Sequence, residues 1–334
     1  MQNTVLQYIR LSYTATILIV SLLLHGCCNS DEPSGNVVPD NSAILISAQT
    51  EASFARTSLP AGMYDNFKVY VVAEKDAQRI EVMNGYKVQF ATDHWSYLVD
   101  DQSLVFWIGS ADRYLFTAGA PFDKVSAIDE STITLNLANN TTGSVMVATP
   151  LSIEKGTDEF GKIVNLHFGY AHCRVCVAFV KDSATDVAIE NISLTPQAPI
   201  TAAAELTYSY DWSTTPPTTS TSLTADATSD AGFTYADVTI PAGSSDAIQS
   251  ATYYYCVPDA TNPVNWTISL TLDGSNKSSD FVNTMIWESG KSYTYIFSLE
   301  GKTPKLIHVT SQDMTFYCND IIPGDVFDNS HMTE

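Results

Sequence analysis

Apolar residues recur along this chain with a period of two, in short runs broken by turn formers, which is the pattern of half-buried β-strands. Phe67-Lys68-Val69-Tyr70-Val71-Val72-Ala73 is the first strong run, and Tyr86-Lys87-Val88-Gln89-Phe90 alternates cleanly. Other strands are expected in the first half at residues 43–48, 95–97, 104–107, 114–118, 163–168, 173–179 and 187–194. The second half repeats the style at 206–210, 233–240, 251–257, 266–272, 292–299, 306–310 and 315–318. Pro258 and Asp273-Gly274 supply turns. The Ser/Thr/Pro tract at 213–222 reads as a long exposed loop. Between Tyr170 and Cys173 the apolar phase moves from even positions (Leu166, Phe168, Tyr170) to odd ones (Cys173, Val175, Phe179), predicting a bulge near Gly169 or Ala171. No segment sustains a helical period, so the expected fold is all-β, an antiparallel β-sandwich twice over.

The first residues follow another rule. The apolar run 15–24 has only Arg10 as a charge ahead of it and is too short to span a bilayer, so it reads as an export signal over residues 1–26. It closes on Leu24-His25-Gly26-Cys27, which resembles the bacterial lipobox. By that resemblance Cys27 takes a diacylglyceryl group and becomes the mature N-terminus; Cys28 fits the pattern less well, and an ordinary secretory signal or a membrane anchor is the alternative. The resemblance implies an exported protein tethered to the outer membrane by lipid, with no transmembrane helix in its final form. Asp31-Glu32, close behind, resembles the acidic signal that sends some lipoproteins of Gram-negative anaerobes to the cell surface. Residues 28–42 are polar and rich in turn formers and read as a flexible spacer.

Length and charge narrow the function. The 334-residue chain carries 37 acidic against 16 basic side chains, a formal charge of -21, which repels nucleic acid and anionic lipid heads. The exported part is long enough for two domains, placed at 57–200 and 201–334 behind a spacer and first strand at 27–56. His94, His167, His172 and His308 lack metal-ligand spacing, and no phosphate loop or nucleophile elbow is present, so neither enzyme, metal nor cofactor is expected. Cys173-x-x-Cys176 has redox spacing but sits in a β-branched run, where positions three apart lie roughly 10 Å from each other, too far for a disulfide. Cys256 and Cys318 each end an aromatic run and are the pair open to a disulfide in an exported protein.

Several loose motifs fall in a recognisable order. They are Trp95-x-Tyr97, the stop Phe116-Thr117-Ala118-Gly119-Ala120-Pro121, the strand with Leu166, Phe168 and His172, and Trp287-x-x-Gly290-x-x-Tyr293-x-Tyr295. Behind a lipobox, this ordered set resembles the fimbrillin-like lipoproteins of Gram-negative anaerobes, the type V fimbrial subunits. The resemblance implies two transthyretin-like β-sandwiches. It also implies export as a lipoprotein, cleavage after an arginine at the cell surface, and assembly with other fimbrial subunits by strand exchange. Arg56-Thr57 matches the cleavage position, between the first strand and the domain body. A monomeric surface lipoprotein that binds glycans or host proteins is the competing expectation, since tyrosines and tryptophans can stack on sugars. Phe316-Tyr317-Cys318-Asn319-Asp320 departs from the family's ending, leaving shaft, tip and anchor roles open.

Overall fold

The period-two runs fold as strands. In the computed structural model, residues 42–49, 64–91, 94–99, 101–259, 265–301 and 303–314 are described. Among them every regular element is a strand except a 3-10 turn at Phe122–Lys124. In chain order these are β1 (Ile46–Gln49), β2 (Asn66–Lys75), β3 (Gln78–Ala91), β4 (His94–Ser96), β5 (Arg113–Ala120), β6 (Val125–Ile128), β7 (Thr132–Ala138) and β8 (Met146–Ala148). Next come β9 (Leu151–Glu154), β10 (Val164–Tyr170), β11 (Cys173–Val180), β12 (Val187–Pro196), β13 (Ile200–Asp211), β14 (Thr218–Ser229) and β15 (Phe233–Tyr235). The chain continues through β16 (Val238–Ile240), β17 (Ile248–Gln249), β18 (Tyr254–Cys256), β19 (Asn265–Leu272), β20 (Ser275–Val282), β21 (Lys291–Ser298) and β22 (Lys305–Asp313).

Four sheets result. The first runs β1-β10-β8-β5-β2-β3-β4, with β9 also on β5. A second runs β14-β13-β7-β6 and lies over one face of the first: Leu115 from β5 packs with Ile133, Leu135, Leu206 and Tyr208. The opposite face of the first sheet carries the alternate residues Phe67, Val69, Val71, Tyr114 and Phe116, in one core with Trp107, Phe160, Ile44 and Ile46. The remaining two sheets, β17-β11-β21-β22 with β18 and β15-β12-β19-β20 with β16, enclose a separate core. There Phe179, Ile189, Trp266, Tyr295 and Phe297 are buried.

Turn chemistry sets the registers. Asp273-Gly274 joins β19 to β20 with both φ angles positive (51° and 69°), as two-residue hairpins require. Asp76-Ala77 does the same between β2 and β3, at φ 51° and 61°. Gly119 has another role. A Cβ there would come within 2.7 Å of Ile133 Cδ1 and 2.9 Å of Val125 Cγ2, so the two facing sheets can close only over a glycine.

Some expectations change. Residues 104–107 form no strand; Phe106 makes an isolated antiparallel bridge to Ala43. The tract expected as a loop at 213–222 enters β14 at Thr218, which pairs with β13 along its whole length. Its β-branched threonines favour extended backbone more strongly than their polarity favours a loop. The pairing is also not antiparallel throughout: β1 runs parallel to β10 and β11 parallel to β21. β11 is covered on both faces, so Cys176 and Ala178 are buried almost as fully as Val175 and Val177, and Arg174 is only 9% exposed. The expected phase change falls where β10 ends and β11 begins, at Ala171-His172.

Candidate functional site

The first strand and the residues leading into it are held in a seat by two neighbours in succession, residues 42–44 by residues 105–107 and residues 45–49 by β10. β1 pairs with β10 from Ile46 opposite Val164 to Gln49 opposite His167, and Val164 N–H donates to the Leu45 carbonyl at 2.8 Å. Ahead of it, Ile44 N–H donates to the Val105 carbonyl and Trp107 N–H to that of Ser42, each at 2.9 Å. Strand alternation then decides what is buried. Ile44, Ile46 and Ala48 are 0%, 4% and 3% exposed and join the core of Trp107, Tyr114, Leu166 and Phe168, whereas Leu45 is 46% exposed. Burying each isoleucine is worth about 1.5–3 kcal/mol. Beside the seat, Leu45, Leu104, Phe106 and Ile163 are large apolar side chains left at the surface.

A junction between the first core and the core of β11 lies at the other end of β10. His172 has no exposure. Its Nδ1 accepts from Val145 N–H at 3.0 Å, with the Ser144 hydroxyl 3.2 Å away. That bond places the ring proton on Nε2, which faces the Ala138 carbonyl without closing a hydrogen bond. Burial pulls the imidazole from its ordinary 6.5 down to about 4, and the Lys124 charge adds to the effect. The His172 carbonyl accepts from Gly290 N–H at 2.9 Å, and Gly290, at φ 75°, opens the turn into β21. Around that turn Trp287 Nε1 donates to the Tyr295 hydroxyl at 2.9 Å, which donates to Asn283 Oδ1 at 2.8 Å. The Tyr293 hydroxyl donates to the Ile286 carbonyl at 2.7 Å and accepts from Glu288 N–H. Burial raises the Tyr293 and Tyr295 hydroxyls above the usual phenol value. The spaced Trp-Gly-Tyr-Tyr motif is thus a polar clasp inside a core.

The expected site residues fall mostly elsewhere. Cys27, Cys28, Arg56, Thr57 and Cys318 lie outside the described residues. Cys256 is fully buried, opposite Cys173 on the neighbouring strand. His172 is the structural histidine expected, except that one nitrogen lacks a partner. Among the described residues no group of three or more His, Cys, Asp or Glu is placed to hold a metal, and no helix is long and apolar enough to cross a membrane. Trp107, Trp212, Trp266 and Trp287 are buried, and Phe106 alone of the described aromatic side chains is exposed. The run 104–107 looked like an ordinary strand by pattern; its role as the outer wall of the first strand's seat had no local signal.

A family model described as fimbrillin-like matches residues 55–313. No curated protein matches the chain. Among solved structures, a candidate cell adhesion protein of Bacteroides uniformis is similar at 13% identity and a TM-score of 0.49, covering 83% of this chain and 100% of that one. A fimbrial protein of Bacteroides ovatus is similar at 11% identity and a TM-score of 0.38, covering 79% of this chain and 50% of that one. The fimbrial anchor protein Mfa2 of Porphyromonas gingivalis is similar at 13% identity and a TM-score of 0.32, covering 81% of this chain and 96% of that one.

Proposed function

Because the chain belongs to the fimbrillin-like family, we propose that this non-enzymatic fimbrial protein is a subunit exported as a lipoprotein and assembled by exchange of its first strand. The observation that carries the reading is the seat of β1. Residues 42–44 bond to residues 105–107, residues 45–49 bond to β10, and Ile44, Ile46 and Ala48 are buried in the core. Cleavage at Arg56-Thr57 would cut the covalent tie of that strand. Its departure would leave an apolar groove flanked by unpaired backbone groups, costly to leave open and a template for another chain's strand.

Leu306-Ile307-His308-Val309-Thr310 is committed to β22, paired with β21 and packed through Leu306 and Val309 on the second core. Of the two stretches that could donate a strand to a neighbouring subunit, 306–310 and 314–318, we therefore propose the second, with its donor residues after Met314, which is itself buried in the first core. Each such contact is heterologous, so subunits add as an open filament. Cys27 holds the precursor to outer-membrane lipid, and the exposed apolar side chains beside the seat give a second subunit its contact.

The test is Arg-specific proteolysis of the exported chain, read as SDS-resistant ladders. Wild type is expected to shorten and ladder, and Arg56→Ala to do neither. Truncation after Met314 is expected to leave the fold intact and abolish ladders. Fatty-acid labelling should be lost in Cys27→Ala. Cleaved wild-type protein that stays monomeric with residues 44–48 still bound would overturn the assembly reading in favour of a surface binder of glycans or host proteins.

A further inference from the structure

Three cysteines are buried at the start of the second core, and two of them face each other. β11 and β18 are antiparallel with Cys173 directly opposite Cys256. Opposed residues on such strands have Cα atoms about 4.5–5.5 Å apart, whichever of the two pair types they form. Disulfides form across Cα separations of roughly 4.4–6.8 Å. The Cys173 thiol reaches to 3.4 Å from the Cys256 carbonyl. Both side chains are 0% exposed and lie in one apolar cluster. Cys176 is placed differently: it opposes Thr294 on β21, not a residue of β18.

We propose that Cys173 and Cys256 are joined by a disulfide in the exported protein, stapling β18 to β11 where the chain passes between its first and second cores. That location gives the bond a purpose. β11 begins just after His172, and on β18 Tyr255 packs into the first core while its neighbour Cys256 packs into the second. A bond here closes the long loop between residues 173 and 256, and long loops lose the most unfolded-state entropy when closed.

The chemistry balances with an external disulfide as oxidant, a thiol–disulfide oxidoreductase in the cell or glutathione disulfide in vitro. One cysteine loses its proton and attacks the oxidant's sulfur, releasing one thiol and leaving a mixed disulfide. The second thiolate attacks the protein-side sulfur of that mixed disulfide and releases the other thiol. Two protein thiols are oxidised and one external disulfide is reduced to two thiols. Because both sulfurs are buried, the exchange belongs to folding, before β18 closes over β11. Once made, the bond is shielded from reductants.

The in-cell form of the proposal rests on the export reading, so its test has two arms. Full-length protein is isolated from the cell envelope, alkylated under denaturing, non-reducing conditions and mapped by mass spectrometry. The expected result is a 173–256 linked peptide, retained in Cys176→Ser and Cys318→Ser and absent in Cys173→Ala. Free Cys173 and Cys256, or a link from Cys256 to Cys176 or Cys318, overturns it. In the second arm, reduced, denatured protein is refolded with glutathione disulfide. The same link is expected, with an unfolding midpoint raised by roughly 5–10 °C over the reduced form. If the link forms there but not in the cell, the oxidising location is what fails. If it forms in neither, the strand geometry fails and the export reading is untouched.

Discussion

At the scale of single residues, the junction histidine sets a pH dependence. In the unfolded chain His172 titrates near 6.5; in the fold its value is about 4, because burial disfavours the cation. The unfolded state therefore binds more protons between these values. The full stability is present above pH 6.5 and falls as the pH drops toward 4, by about 3 kcal/mol for this one group. Denaturant unfolding of wild type and His172→Asn across pH 4–8 should show the wild-type curve steeper in that window and parallel above it. Two backbone positions make opposite predictions. Gly119→Ala should lose about 1–3 kcal/mol, because its methyl group meets Ile133, Val125 and Leu135 at 2.7–3.0 Å. Ala77→Gly should gain roughly 0.5–1 kcal/mol by relieving a left-handed alanine at φ 61°; thermal unfolding reads both. The Asp273-Gly274 turn was legible because Asp-Gly names its own conformation. Asp76-Ala77 was not, since alanine carries no such signal and the register of β2 and β3 imposes the turn.

At the scale of elements, alternation identified most strands and misjudged those whose neighbours override it. Residues 67–73 and 86–90 look half-buried by pattern and form parts of β2 and β3. The start of β14, residues 218–222, looks like loop because each of these residues is Ser or Thr, yet β13 supplies its partner groups. In β11 the charged Arg174 is buried because the parallel strand β21 brings Ser292 against it, and Arg174 Nε donates to that hydroxyl at 3.0 Å. Partners more than a hundred residues away leave no trace in a local period. The register of the first strand can be checked by contrast. Ile46→Ala should cost about 2–5 kcal/mol in denaturant unfolding, while Leu45→Ala, one residue away on the outer face, should stay within about 0.5 kcal/mol of wild type. Equal losses would mean that the strand is seated in the wrong phase.

At the scale of the whole molecule, family membership was legible from motifs that prove to be structural. The Trp287–Tyr295 set is an internal clasp, and the stop at Gly119 is where two sheets meet. What the motifs did not convey was how the layers close, because that depends on which strands become neighbours. The seat of the first strand is the clearest product of that closure, and it has a mechanical meaning. Residues 42–44 are bonded to residues 105–107 and residues 45–49 to β10, all lengthwise. A pull along the strand axis loads both rows of bonds in shear, so many must fail together instead of opening one after another. β10 then continues through His172 into β11 and the second core. Tension entering through whatever strand occupies that seat is handed to the same stretch of backbone that crosses the molecule, as a rivet hands load to a beam.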